Sequence, residues 1–194
     1  SPYKRKTSDI VALMVLEHQT STQNILTKAN HAAMRAMYMQ QSLQRELGEK
    51  VESQPVGTAR RIIDHCAEDV VDALLFKDEA ALPEGGIEGD PAFQQVFTRS
   101  SPQTKDGRSL KDFQLLNRLF KYRCSYMVYS LTFKNLMPQL KETVLTNLWN
   151  ALDGKTVDDR YGYLTGSERK NIQKILAETL DGAPTTWKQD VASR

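Results

Sequence analysis

The stretch SDIVALMVLEHQTSTQNILTKANHAAMRAMYMQQSLQRELG, Ser8–Gly48, decides the fold. Ser8 or Thr7 can cap a helix whose first turn carries Asp9, because a short oxygen-bearing side chain accepts from the unpaired N–H groups of a first turn. From there neither proline nor glycine occurs until Gly48, so nothing in the backbone interrupts one very long helix. A near-heptad seam follows Val11, Val15, His18, Thr22, Ile25, Ala29, Ala32, Ala36, Met39 and Leu43 in steps of four and three. A rod of this kind needs partner helices along most of its length. The small residues Ala29, Ala32, Ala33 and Ala36 let one of them approach closely.

Outward from this helix, Gln54–Gly57 breaks the pattern and Thr58 caps a second helix with Ile63, Cys66, Val70 and Leu74 on its apolar stripe. The two form an antiparallel hairpin, the start of a bundle. Between Glu79 and Gly89, Pro83, Gly85, Gly86 and Gly89 predict a mobile surface loop and the clearest internal boundary. Asp90-Pro91 reads as N-cap and first helical residue of a short helix to about Thr98. After a second loop, Ser109 caps a helix bearing Phe113, Leu116 and Phe120. Tyr122, Cys124, Tyr126 and Val128 alternate like a strand, while Leu119, Arg123, Tyr126 and Ser130 continue a helical stripe. Helix is the reading here, since no second strand candidate exists to pair with. Leu140, Val144, Leu148 and Leu152 mark the next helix, ended by Gly154. Thr165–Glu168 fits a capping box for the last, with Ile172, Ile175, Leu176 and Thr179 inward and Trp187 of the tail packing back on the body. The expectation is an all-α bundle of about six helices with Gly/Pro-rich loops, one domain over residues 1–194.

Composition sets the class. Of 194 residues 40% are apolar and 26% charged, which suits a globular chain. A formal charge of +2 is too small to imply a nucleic-acid or membrane partner, and Lys4-Arg5-Lys6 reads as a solvated tail. Cys66 and Cys124 lack CxxC spacing and read as buried free thiols, with a single bridge between them as the alternative. The longest apolar run, Ile10–Leu16, is far short of a bilayer span. The start at Ser1-Pro2 carries no charged-then-apolar leader and reads as a piece of something longer, or as a matured form.

His18 is the polar residue the seam turns inward, where an imidazole needs a partner. It reads either as a core histidine bonded to a carbonyl or carboxylate, or as a metal, haem or proton-transfer ligand, in which case the chain would be a metal- or haem-binding enzyme with its site in the bundle near His18. Glu17, Asn24 and His31 share a flanking stripe between Ile10 and Tyr38 and read as a solvated or half-buried flank. His65 and Glu68 have an i, i+3 spacing, but the di-iron pattern is Glu-x-x-His and needs a second copy. Arg61, His65, Glu68, Asp69 and Asp72 therefore read as a salt-bridged face, and no metal site is assigned. Lys121, Tyr122, Arg123, Tyr126 and Tyr129 interleave cations with aromatics as single-strand-binding surfaces do; without a basic excess they read as core and rim. No nucleophile sits in a recognisable catalytic setting, so no catalytic residue is named.

Two segments, Ser8–Thr20 (SDIVALMVLEHQT) and Gly107–Ser130 (GRSLKDFQLLNRLFKYRCSYMVYS), resemble the C-terminal helical region of long bacterial proteins that carry export features, some with a c-type cytochrome portion upstream. The resemblance implies an exported, periplasmic setting, partnership with other domains of the parent protein, and haem in the full-length protein. This chain has no CxxCH, so covalent haem would belong to another segment, with His18 contributing at most a non-covalent site or an interface.

Overall fold

The computed structural model describes residues 9–154 and 159–192. Among these, seven α-helices account for the secondary structure: α1 (Ile10–Glu46), α2 (Gly57–Leu74), α3 (Pro91–Arg99), α4 (Leu131–Lys134), α5 (Pro138–Asp153), α6 (Gly166–Thr179) and α7 (Thr185–Ala192). Two 3₁₀ turns, Tyr126–Tyr129 and Asp159–Tyr161, join them. The chain is all-α and built on the long first helix.

Helix α1 is one uninterrupted rod. Asp9 caps it, its carboxylate accepting from the N–H groups of Val11 (2.9 Å) and Ala12 (3.2 Å). Val11, Val15, Thr22, Ala29 and Ala36 are buried along the predicted seam. Met39 and Leu43, the last two seam positions, are instead exposed. A seven-residue repeat drifts by about 20° per heptad on a straight helix, so the inward positions pass to Leu26, Ala33 and Met37.

Helix α2 returns antiparallel beside α1 and also packs on α5. Four side chain–backbone bonds hold the return segment. Gln40 Oε1 accepts from Val56 N (2.8 Å) and its Nε2 donates to Gln54 O (2.9 Å). Gln44 Oε1 accepts from Glu52 N (3.0 Å), and Gln41 Nε2 donates to Glu52 O (3.4 Å). Thr58 is not the cap of α2. The helix begins at Gly57 with Val56 at the N-cap and no side-chain cap bond, and Thr58 Oγ1 takes a bond from Arg61 instead. Downstream, Asp90 caps α3 with Pro91 in its first turn, and Gly154 ends α5 at φ 71. Trp187 is buried and stacks on Trp149 at 4.4 Å between centroids.

The Glu79–Gly89 segment is tied down and is no boundary. Leu82 N donates to Asn117 O (3.0 Å), Ile87 N to Leu115 O (2.9 Å), and Asp90 N to Asp9 Oδ2 (2.6 Å). Its glycines serve close approach. A Cβ on Gly86, which sits at φ 76, would overlap the carbonyl oxygen of Leu115 and stand 2.9 Å from Leu116 Cα. One on Gly89 would lie 2.5 Å from Val11 Cγ2. Gly86→Ala is therefore expected to cost about 2 kcal/mol, part left-handed backbone and part overpacking. Gly85→Ala, also at positive φ but with open space around it, is expected to cost about 1 kcal/mol; urea denaturation of the pair separates the clash from the backbone term.

The predicted helix from Ser109 through Ser130 is absent. The chain there doubles back on itself: Lys121 N donates to Asp112 O (2.7 Å), Gln114 N to Leu119 O (3.0 Å), and Leu115 N to Arg118 O (2.9 Å). One antiparallel bridge joins Phe113 and Phe120, whose rings stack at 5.6 Å. Gln114 Oε1 accepts from the N–H groups of Leu116, Asn117 and Arg118 and so closes the turn. The segment's own first half supplies the pairing partner.

Candidate functional site

His18 lies where α1 meets this doubled-back segment. Its Nε2 is 2.8 Å from Ser125 Oγ, a hydroxyl rather than the carbonyl or carboxylate expected from sequence. The ring stacks on Phe76 at 4.5 Å and meets Phe120 and Tyr126 edge-on at 5.7 and 5.8 Å. Burial among these rings disfavours the charged imidazolium and pulls the pKa down to about 4. Ser125 is itself fully buried and engaged, its N donating to Leu74 O (2.7 Å) and its Oγ accepting from Met127 N (3.1 Å). This is a joint between elements, closed to a substrate. An axial haem ligand needs a free ring nitrogen facing open space. His18 lines neither the cleft nor the groove described below and its Nε2 is occupied, so the residues as arranged do not fit a haem held there.

Next to this joint, on the other side of Phe76, is a cleft of ≈ 410 Å³ lined by Phe76, Asp78, Glu79, Arg118, Arg123 and Tyr163. Phe76 and Asp78 hold left-handed backbones, φ 56 and 59, a strained conformation for residues with side chains. Arg123 is held by the chain: Nε and Nη2 donate to the Glu168 carboxylate (3.1 and 2.7 Å) and Nη2 also to Tyr163 O (2.6 Å). Arg118 donates to Phe120 O (3.1 Å) and Lys121 O (2.9 Å) and lies 3.5 Å from Glu168. Burial pushes the Glu79 carboxyl up, against the pull of the Leu119 N–H and the two arginines. Both guanidinium groups already donate to the chain itself through Nε and Nη2.

A second hollow, a groove of ≈ 540 Å³, runs between α1 and α2. Ile25, Ala29, Ala32, Ile62, Cys66 and Ala73 contribute its apolar surface, with Lys28, His65, Asp69 and Asp72 among its polar residues. The small residues of α1 admit α2 here. Burial, and then Asp69, push the Cys66 thiol up, and burial does the same to Cys124; both are free and buried, a setting that suppresses thiolate chemistry.

The face of α1 turned away from the core is different. Leu13, Leu16, Met34 and Tyr38 are 51%, 59%, 52% and 69% exposed. At about 100° per residue all four fall on one side of the rod, opposite the buried seam. Glu17, Asn24 and His31 lie beside them, exposed.

The chain matches no family model, no curated protein and no solved structure.

Among the described residues no three His, Cys, Asp or Glu side chains are grouped to hold a metal ion. His65 lies 3.9 Å from Asp69, and Glu68 faces Arg160 (3.7 Å). Asp72 is bonded by Arg160 (2.8 and 2.5 Å) and Tyr161 (2.8 Å). Tyr122 and Tyr126 are buried, so the cation–aromatic cluster presents no stacking platform. No helix among the described residues is long and apolar enough to cross a membrane.

Sequence reasoning placed Glu168 in a capping box, and Thr165 Oγ1 does accept from Glu168 N (3.2 Å). The carboxylate, however, goes to Arg123. A signal was present: Arg123 interrupts an apolar stripe, and a charge there requires a partner.

Proposed function

We propose that this chain is a helical accessory domain that works by interaction, within a larger exported, redox-associated bacterial protein. The observation that supports it is the outward face of α1, where four large apolar side chains stand half to two-thirds exposed along one rod. Scattered apolar residues are ordinary on a surface; a line of them on one helix face has the form of a protein interface. The cleft, by contrast, has its charges internally paired, and the His18–Ser125 joint is closed. The exported and cytochrome-linked setting rests on the likeness of Ser8–Thr20 and Gly107–Ser130 to such proteins. These two segments meet at the His18–Ser125 hydrogen bond.

Two measurements test this reading. Metal analysis and a visible spectrum of the purified chain are expected to show neither a stoichiometric ion nor a Soret band; either one would contradict it and move the site to the neighbourhood of His18. Replacing Leu13, Leu16, Met34 and Tyr38 one at a time with glutamate is expected to change stability by no more than about 0.5 kcal/mol each, as for free surface positions. Losses of about 2 kcal/mol or more, typical of core positions, would show that this face is internal.

A further inference from the structure

We infer that the outward face of α1 pairs with the same face of a second copy of this chain, the two helices running antiparallel. This rests on the reading of that face as an interaction surface and names its partner. The observation is a near-symmetry of the exposed pattern about its middle. Leu13 and Leu16 form one apolar patch, Met34 and Tyr38 another, and the exposed residues between them on this face, Thr20, Asn24, Thr27 and His31, are polar.

In an antiparallel pair about a two-fold axis, residue i faces residue j with i + j constant, and j faces i in return. Centred between Ile25 and Leu26, where i + j is 51, that arrangement sets Leu13 level with the partner's Tyr38 and Leu16 within one residue, about 1.5 Å of rise, of the partner's Met34. It sets Thr20 against His31, and Asn24 against Thr27, so apolar meets apolar and polar meets polar along about 37 Å of helix. The same operation brings Glu17 within one residue, about 1.5 Å of rise, of the partner's Arg35, both exposed and both on one flank. Symmetry makes that charge pair twice.

Other occupants fit less well. A membrane surface favours a continuous apolar face with basic flanks, and this face has a polar middle with Glu17 on its flank. An unrelated helix would have no reason to match a pattern with near-symmetry about its middle and Glu17 and Arg35 on one flank. Among the described residues nothing covers this face: α4 lies to one side, where Gln23 Nε2 donates to Thr132 Oγ1 (2.6 Å), and Leu131 beside it is exposed.

Sedimentation equilibrium of the full chain tests the inference. At about 100 µM the wild-type chain is expected to be mainly dimeric, with a Kd in the micromolar range. Leu16→Glu should weaken association about a hundredfold, with circular dichroism unchanged. Glu17→Arg and Arg35→Glu should each weaken it about tenfold, and the double variant E17R/R35E should restore it. A chain that stays monomeric at this concentration, or a dimer indifferent to these substitutions, overturns the self-pairing and leaves the interaction-domain reading standing. A Leu16→Glu chain that unfolds overturns both.

Discussion

Replacing Glu168 with alanine is expected to destabilise the fold by about 3–5 kcal/mol, the cost of stranding a buried charge. Surface pairs are worth only about 0–1 kcal/mol, so burial decides the case. The Glu168 and Arg123 side chains are 8% and 18% exposed, and Arg123 donates to that carboxylate from its backbone N (3.0 Å) as well as its guanidinium. Removing Glu168 leaves Arg123 with Tyr163 O alone inside the protein. Burial raises the Glu168 carboxyl, but the Arg123 bonds outweigh it and hold the group below its usual value. Its contribution is therefore complete above the ordinary carboxylate range and is lost as pH falls through the folded-state pKa. Guanidinium denaturation at pH 7 of E168A, R123A and the double variant checks the prediction. The double variant should be less destabilised than the two singles summed, because it strands neither charge.

Between pH 6.5 and about 4 the protein is expected to lose about 3 kcal/mol of stability through His18 alone. The folded-state pKa is about 4, against 6.5 for the free side chain. Above 6.5 the ring is neutral in both states and contributes no slope. Below 6.5 the unfolded chain binds a proton that the folded chain refuses, so acid favours unfolding until the folded ring protonates as well. Glu79 opposes part of this: its raised pKa means that stability is lost as pH rises above the ordinary carboxylate value. The His18 share is therefore read as a difference. His18→Gln, weaker at pH 7 for want of the Phe76 stack, should show a flatter stability profile between pH 6.5 and 4.5. A profile parallel to that of the wild type would place the imidazole in water.

The first half of the fold was legible because its determinants are local. An interval without glycine or proline and a four-three seam both belong to one helix, and Val11 to Ala36 follow from them; the cap was read as Ser8 or Thr7, which lie outside the described residues, whereas Asp9 holds that place. The seam failed at Met39 and Leu43 for a geometric reason: a repeat written in sevens rotates around a helix of 3.6 residues per turn. The Glu79–Ser130 region was not legible. Its glycines resemble those of a mobile loop, yet Gly86 and Gly89 exist to let backbone pass against Leu115 and Val11. The turn that doubles the chain back is closed by the Gln114 side chain and by Leu115 at φ 59, neither of which marks a turn in sequence. His18 could be seen to point inward, but Ser125 lies 107 positions away, and only the hairpin at Phe113–Phe120 brings it near. Glu17, Asn24 and His31 were read as a solvated or half-buried flank, and they are exposed. The near-match of that flank to itself in reverse emerges only once Leu13, Leu16, Met34 and Tyr38 are known to be uncovered.

The pairing of α1 faces is tested most directly by oxidative cross-linking of a chain carrying Leu13→Cys and Tyr38→Cys. Cys66 and Cys124 are buried and should stay silent. The antiparallel arrangement predicts a covalent dimer from the double variant, and almost none from Leu13→Cys alone, whose two copies would lie about 37 Å apart. Efficient cross-linking of Leu13→Cys to itself, or no dimer from the double variant, would contradict it.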